Sequence, residues 1–179
     1  MPVVQPETLT LDRLATPIGT ALLVTDEAGY LRALNWTDYE AHMLAWIGRH
    51  YPKARLQEGR APAPVRAPFE AYFKGDASAL DAVPWKASGT AFQLKVWETL
   101  CTIPPGETLS YAGLADRIGR PSAVRAVGLA NGANPVAVVV PCHRVIGTNG
   151  SLTGYGGGLS RKAWLLGHEG ATFKGRLAA

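Results

Sequence analysis

Cysteine is scarce in this chain of 179 residues, because only Cys101 and Cys142 occur. Two cysteines are too few for a disulfide scaffold or for a zinc site with four thiolate ligands, so we expect both thiols to be reduced. Long apolar runs are lacking too, and the longest strongly apolar one, Val136 to Val140, is far too short to span a bilayer. The first residues lack a basic segment followed by an apolar one. These absences predict a cytoplasmic protein that does not enter a membrane.

Acidic residues are scarce in the second half of the chain. Only 4 of the 14 acidic residues follow Trp85, against 10 of the 18 basic ones, so the two halves carry formal charges of −2 and +6. A basic half is typical of a protein that faces a polyanion, but the same surplus is common on ordinary solvated surfaces. Hydrophobic residues make up 47% of the chain, which predicts an ordered globular protein.

Short runs of β-favouring residues open the chain and predict an antiparallel meander. They span Thr8 to Leu11, Thr20 to Thr25 and Tyr30 to Trp36, and turn-forming segments separate them. A helix is expected next, because Thr37 and Glu40 have the spacing of a capping box. Its apolar stripe recurs at helical spacing and comprises Met43, Leu44, Ile47 and Tyr51. A second, short helix is expected over 65–74.

The segment Ala82 to Gly89 has the composition of a linker. We therefore place a boundary at Trp85 and expect two domains, residues 1–85 and 86–179. The second domain opens with Thr90 and Gln93 in capping-box register, which predicts a helix ending near residue 103. Cys101 belongs to this predicted helix and is expected to be a small buried hydrophobe, because no basic neighbour activates its thiol.

Two short helices are predicted in the middle of the second domain. Ser110 can cap a helix that runs to Ile118, Gly119 can end it, and Pro121 can open another helix toward Asn131. Two such helices joined by a glycine-containing turn are typical of a helix-turn-helix, but many helical hairpins bind nothing.

Cys142 follows a buried strand predicted over Val136 to Val140, which Pro141 ends. A free cysteine is mostly protonated at neutral pH, so a nucleophilic cysteine needs a base or a positive charge nearby. His143 and Arg144 can supply both. An inert core cysteine beside a histidine fits the same residues. A metal site is not expected, because the other histidines, His42, His50 and His168, are scattered.

The longer segment Asn134 to Gly147 contains Pro141-Cys-His-Arg-Val145, and with it the chain resembles the O6-alkylguanine-DNA alkyltransferases. Other motifs of that family follow in the same order: Ser110-Tyr111, Arg125-Ala-Val-Gly128, Asn134-Pro135, Gly154-Tyr-Gly-Gly-Gly158 and Lys162 to His168-Glu-Gly170. The meander around Thr16-Pro-Ile-Gly19 is similar to the N-terminal domain of bacterial, constitutive members.

The resemblance implies an α+β fold of two domains. The N-terminal domain would be a ribonuclease H-like meander with helices, and the C-terminal domain would be mainly helical with a helix-turn-helix. It also implies direct-reversal DNA repair, in which the alkyl group of O6-alkylguanine, and of O4-alkylthymine, passes irreversibly to Cys142. One molecule then repairs one lesion. No cofactor is expected, and no zinc, since no cysteine precedes Cys101.

The resemblance also implies roles for single residues. His143 would take the proton of Cys142 through a water, Glu169 would orient His143, Tyr111 would protonate the departing base, and Asn134 would brace the turn before the site. The pocket for the base would be formed by Val145, Tyr155, Gly156 and Gly157.

Double-stranded DNA carrying the alkylated base is the implied partner. The second helix of the helix-turn-helix would enter the minor groove, and Arg125 would fill the space that the flipped nucleotide leaves. Six further residues would contact the DNA: Ala123, Val124, Ala126, Gly128, Arg120 and Thr148. Val124 departs from the alanine common in the family. We expect a monomer in solution that can cluster on DNA.

Two other functions stay open on the residues alone. A cysteine hydrolase or acyltransferase could use Cys142 and His143 with an oxyanion hole from the amides of 154–158, and it would turn over repeatedly. A DNA-binding protein without transfer activity is the other class. The presence of Cys142 argues against a lesion-flagging relative, and the absence of a second helix-turn-helix argues against a transcriptional regulator.

Overall fold

The structure is a computed structural model that describes residues 5–175, in which six α-helices and six strands give a mixed α+β fold. The chain divides into two compact units, Met1–Ser88 and Gly89–Ala179. In the described part of the chain, no helix is both long and apolar enough to cross a bilayer.

The first unit is built on a four-stranded sheet. Its strands are β1 (Thr8–Thr16), β2 (Gly19–Asp26), β3 (Leu31–Trp36) and β4 (Arg55–Glu58), in the order β3-β2-β1-β4. The first three strands pair antiparallel, which confirms the predicted meander, and β4 pairs parallel with β1. Sequence reasoning missed β4 because its side chains lie near the surface and do not alternate between apolar and polar.

Two helices accompany this sheet, α1 (Glu40–His50) and α2 (Ala63–Phe73). Met43 and Ile47 of α1 pack with sheet residues in the core, as their spacing predicts. The predicted capping box is wrong, because residues 37–39 form a separate 3₁₀ turn and no side chain caps α1. Leu44 is also 40% exposed, so it lies outside the buried stripe.

The second unit is mainly helical. Its helices are α3 (Ala91–Leu100), α4 (Tyr111–Arg117), α5 (Val124–Gly132) and α6 (Leu159–His168), and a short parallel pair joins β5 (Leu109–Ser110) to β6 (Val145–Ile146). Thr90 and Gln93 form the predicted capping box of α3. Ser110 caps α4 by accepting from the Gly113 amide. The expected opening of α5 at Pro121 is wrong, because the helix begins at Val124.

The segment Val136 to Val140 is buried except at Ala137, and it is not the predicted strand. It forms a turn with one isolated bridge between Ala137 and Val140, and Val138 has a positive φ of 73°. A β-branched residue in this conformation is strained, at a cost of about 1–3 kcal/mol, and persists only where its surroundings impose it. The apolar run therefore predicted the burial of this segment correctly, but its prediction of an extended backbone is wrong.

Candidate active site

Asn134 imposes the turn that precedes Cys142. Its Nδ2 donates to the Val140 carbonyl at 2.8 Å, and its Oδ1 accepts from the Val136 amide at 2.9 Å. These two bonds close the segment on itself and hold Val138 in its strained conformation. The chain leaves this turn as a short 3₁₀ helix, Cys142–Arg144, so that three reactive or charged side chains follow one another at a fixed place.

The thiol of Cys142 is buried, with the residue only 6% exposed. Burial raises the pKa of this thiol above its usual value, although the Asn134 amide and the positive charge of Lys162 oppose the rise. At rest this group is therefore a protonated thiol. It needs a base to become a thiolate, because only the thiolate attacks efficiently.

His143 follows Cys142 in the chain and carries a buried imidazole. Its Nε2 lies 2.9 Å from Oε1 of Glu169, and both side chains are fully buried. Burial lowers the pKa of His143 despite the charge of Glu169, so the imidazole is neutral. An ionised carboxylate can only accept, so the ring proton lies on Nε2. Nδ1 is then a bare acceptor, and no group of residues 5–175 donates to it.

Arg144 fixes the same carboxylate from its other side. Its Nε donates to Oε2 and its Nη2 to Oε1 of Glu169, both at 2.9 Å, while Nη1 donates to the Ile103 carbonyl at 2.6 Å. Burial disfavours the charged carboxylate, but His143 and Arg144 outweigh it and lower the pKa of Glu169 to about 2. The carboxylate is thus ionised and immobile, which fixes the tautomer of the histidine.

Lys162 is a member of the site to which the sequence motifs gave no role. It is fully buried on α6, and its Nζ donates to the carbonyls of Val145 at 2.6 Å and Thr153 at 2.7 Å. Burial lowers its pKa to about 8. The ammonium ties β6 to the following loop and places a positive charge near Cys142. The available signal was a lysine on the apolar face of an amphipathic helix, beside Ala163, Leu165 and Leu166.

The predicted pocket residues lie on β6 and on the loop that Lys162 holds. Val145 is fully buried, and Gly157 is buried with its carbonyl accepting from Arg161 Nη1 at 3.0 Å. Gly156 is exposed. The Tyr155 hydroxyl is buried without a hydrogen-bond partner among the described residues, and burial raises its pKa well above the usual value.

Tyr111 links α4, α5 and this loop. Its hydroxyl accepts from Thr153 Oγ1 at 3.1 Å, and its ring lies beside Gly128, where an added Cβ would make an ordinary van der Waals contact at 3.7 Å. Tyr111 thus contacts the same loop that Lys162 anchors.

The residues expected to contact DNA lie mostly on the surface. Arg125 and Ala126 are exposed on α5, Val124 is 36% exposed, Arg120 is exposed before α5, and Thr148 is exposed in the turn after β6. Ala123 and Gly128 are half-buried. Leu129, one turn after Arg125, is 71% exposed and was not considered from the sequence.

The second cysteine lies apart from these groups. Cys101 is exposed, which overturns its expected burial. The reason is that α3 ends at Leu100, so Cys101 is the residue after the helix and not part of the buried face of Val96, Trp97 and Leu100. Among residues 5–175 no three histidine, cysteine or acidic side chains are grouped as a metal ion would require.

Comparison with known proteins places this geometry in one family. Residues 91–171 match the model of the 6-O-methylguanine DNA methyltransferase, DNA binding domain. The chain is 47% identical over 161 residues to a methylated-DNA–protein-cysteine methyltransferase of Shigella flexneri, which covers 89% of this chain and 94% of that protein. A crystal structure of Mycobacterium tuberculosis O6-methylguanine methyltransferase is 39% identical in sequence, with a TM-score of 0.71, and the match covers 90% of this chain and 93% of that chain. A crystal structure of Mycobacterium tuberculosis OGT in complex with DNA is also 39% identical, with a TM-score of 0.74, and the match covers 90% of this chain and 92% of that chain. The chain belongs to the methylated-DNA–protein-cysteine methyltransferase family.

Proposed function

We propose that this chain repairs DNA by transferring the alkyl group of O6-alkylguanine irreversibly to Sγ of Cys142. The observation that carries the proposal is the arrangement around His143. A neutral imidazole adjoins a buried thiol, Glu169 fixes its proton on Nε2, and its Nδ1 is left as an acceptor. This is the arrangement that a general base needs in order to activate a nucleophile.

The transfer proceeds as a single displacement. The thiol proton of Cys142 passes through a water to Nδ1 of His143, and Glu169 stabilises the imidazolium that forms. The Sγ electron pair then forms a bond to the alkyl carbon, while the bond from that carbon to O6 breaks and its electrons stay on the base. The product thioether is stable, and no group of the site regenerates it, so each molecule acts once.

Tyr111 assists the departure of the base. The bond that breaks leaves negative charge on the guanine, and a hydroxyl donor lowers the barrier by neutralising that charge as it develops. The hydroxyl of Tyr111 already accepts from Thr153, so its own proton remains available for donation to the base. The pocket of Val145, Tyr155, Gly156 and Gly157 holds the flipped base, and O4-alkylthymine is a second substrate.

The DNA contact is made by α4 and α5 acting as a helix-turn-helix. We assign α5 to the minor groove, where small side chains at positions 123, 126 and 128 suit a groove only about 6 Å wide. Arg125 fills the space of the flipped nucleotide, and Arg120 and Thr148 contact the backbone. The exposure of Arg125, with no ion-pair partner among the described residues, supports this role. A related OGT is described in complex with DNA.

The two compact units support a division into two domains, 1–85 with a ribonuclease H-like fold and 86–179 with the reactive site. The contact boundary at Ser88 lies three residues after the linker tryptophan, and the parallel pairing of β4 with β1 fits the ribonuclease H-like assignment. We propose a cytoplasmic monomer that clusters on DNA and uses neither a metal nor a cofactor.

One incubation tests the transfer directly. The protein is mixed with a duplex containing one O6-methylguanine, and the residual lesion and the peptide masses are measured. We expect one methyl group per protein molecule, located on the peptide that contains Cys142, and none on the peptide of the exposed Cys101. Lesion loss that continues beyond one equivalent of protein would indicate a turnover enzyme and contradict the proposal.

Arg125→Ala tests the role of α5. We expect it to slow repair of duplex DNA by about tenfold or more, because the arginine fills the space that the flipped nucleotide leaves in the duplex. The rate of reaction with free O6-benzylguanine should stay within twofold of that of the unchanged protein, because a free base leaves no such space. The matched control is Arg120→Ala, which removes an equal charge outside the groove. It should weaken duplex binding mainly at low salt and reduce the slope of log K against log salt by about 0.9. Equal losses on duplex and free base for Arg125→Ala would rule out the proposed role.

A further inference from the structure

Besides the Tyr155 hydroxyl, two buried atoms near Cys142 that can only accept lack hydrogen-bond partners among residues 5–175. One is Nδ1 of His143, and the other is Oδ1 of Asn131, a residue of α5 that is only 5% exposed. The proposed mechanism uses the first atom and leaves the second without a role. A buried polar group without a partner costs free energy, so an orphaned pair beside a nucleophile calls for a functional explanation.

The amide of Asn131 has a defined orientation toward the site. Its Nδ2 lies 3.5 Å from the carbonyl oxygen of Cys142, a long contact that places the donor side against the acceptor. The reversed amide would bring two oxygens together, so Oδ1 is the atom that faces away from this carbonyl. The helix around it is anchored, because the Ala130 carbonyl accepts from Trp97 Nε1 at 2.8 Å.

The chemistry of the two atoms identifies what they bind. With the ring proton on Nε2, Nδ1 of His143 can only accept, and a carboxamide oxygen also only accepts. A molecule that satisfies both must donate two hydrogens. Water does so, and its oxygen lone pairs are then free to accept a third hydrogen, the proton of a thiol. Buried waters with about three such bonds are common at otherwise unsatisfied polar groups.

We propose that Asn131 is a positioning residue, and that its Oδ1 and Nδ1 of His143 together hold the relay water with a lone pair directed at Sγ of Cys142. The inference rests on the proposed function, since it concerns the same proton transfer. The thiol proton moves to the water oxygen as the water gives one of its hydrogens to Nδ1, so the water is restored and the imidazole becomes protonated. The second hydrogen of the water stays bonded to Asn131 and fixes the direction of the relay.

Four other charged or titratable groups face the thiol and the imidazole. Glu169 and Arg144 lie on the Nε2 side of His143, and Lys162 and Tyr155 interact electrostatically with Cys142. The donors of Arg144 and Lys162 go to the Glu169 carboxylate and to main-chain carbonyls. Among the described residues, none of the four is hydrogen-bonded to the two orphaned acceptors.

The test compares the single-turnover transfer rate of Asn131→Ala with that of the unchanged protein between pH 6 and pH 10. We expect a rate about tenfold lower near neutral pH, the factor that one lost hydrogen bond to the relay corresponds to. The deficit should shrink to within about threefold as rising pH ionises the thiol without the relay. Affinity for lesion-containing DNA should not change. Asn131→Ser keeps one acceptor and should recover part of the neutral rate.

The alternative is that Asn131 only supports the fold. In that case the rate of Asn131→Ala would be lower by the same factor at every pH, and this result would overturn the proposal. A rate at neutral pH within twofold of that of the unchanged protein would overturn it too. If Asn131→Ala loses its cooperative unfolding transition, the same comparison is made with Asn131→Ser, for which about threefold at neutral pH is expected. His143→Gln distinguishes failure of the role of Asn131 from failure of the proposed function. If His143→Gln shows the pH-dependent loss and Asn131→Ala does not, only the role of Asn131 is refuted. If His143→Gln remains active, the proposed base is refuted.

Discussion

Cys142→Ala is expected to bind DNA carrying O6-methylguanine and to remove no methyl group from it. The reason is that Sγ is the atom that forms the new bond, and no second thiol lies in the site, because Cys101 is exposed elsewhere in the same unit. The measurement is the amount of intact lesion after prolonged incubation with an excess of protein, together with a binding isotherm for the same duplex. We expect complete retention of the lesion and a dissociation constant within about threefold of the unchanged protein.

The matched control is Cys101→Ala, which removes the other thiol of the chain. Since Cys101 follows α3 at the surface, its replacement should leave stability within about 0.5 kcal/mol and the transfer rate within twofold. Residual repair by Cys142→Ala, or loss of repair in Cys101→Ala, would contradict the assignment of the nucleophile. Retained binding without repair would instead show that the lesion is recognised independently of the thiol.

Local features of the fold were predictable from the sequence where neighbouring residues determine them. The capping box of Thr90 and Gln93 and the cap of Ser110 involve residues three apart, and both form as predicted. The meander follows from turn-forming residues between β-favouring runs. In contrast, β4 pairs in parallel with β1 between residues 47 positions apart, and its own sequence carries no periodic signal.

The turn at Val138 shows where a local pattern gives the wrong backbone. Five apolar residues in a row predict a buried strand, and all but Ala137 are buried. The side chain of Asn134 nevertheless bonds to the backbone at both ends of the run and folds it into a turn. Side-chain to backbone bonds of this kind compete with regular structure, and apolar periodicity contains no information about them.

The charged network of the site is likewise a product of tertiary structure. Glu169 meets His143 and Arg144 across about 25 residues, and Arg144 reaches the carbonyl of Ile103 across 41. Spacing alone could not pair these groups, and only the family resemblance named Glu169. The resemblance included Lys162 in a motif without giving it a role, because its partners are main-chain carbonyls, which a side-chain motif does not identify.

The resting ionisation states suit a protein that is consumed by its reaction. Burial raises the pKa of Cys142 and lowers that of His143, so the pair rests as thiol and neutral imidazole rather than as thiolate and imidazolium. A buried thiol reacts slowly with oxidants and adventitious electrophiles, which are chiefly attacked by exposed thiolates. Burial of the protonated thiol therefore protects a nucleophile that can be used only once.

Glu169→Gln is expected to have the largest effect of any single substitution outside the nucleophile, on both stability and rate. It removes the charge that pairs with Arg144 and leaves a buried guanidinium without its carboxylate, a change that costs about 3–5 kcal/mol. It also allows the ring proton of His143 to move from Nε2. The transfer rate should fall by about 100-fold or more, because the imidazole loses both its tautomer and the stabilisation of its protonated form.

The pH dependence of unfolding provides an independent readout of the same carboxylate. The pKa of Glu169 is lowered from 4.5 to about 2 in the folded protein, so between these values the unfolded chain binds more protons than the folded one. The free energy of unfolding should therefore fall as pH drops from 4.5 toward 2, by on the order of 3 kcal/mol from this group, and the fall should be weaker by that amount in Glu169→Gln. Denaturant titrations of both proteins from pH 7 to pH 2 measure it. Glu107→Gln, at an exposed glutamate of the same unit, is the control and should follow the unchanged protein. Parallel pH profiles for the unchanged protein and Glu169→Gln would show that the buried network does not hold this carboxylate ionised.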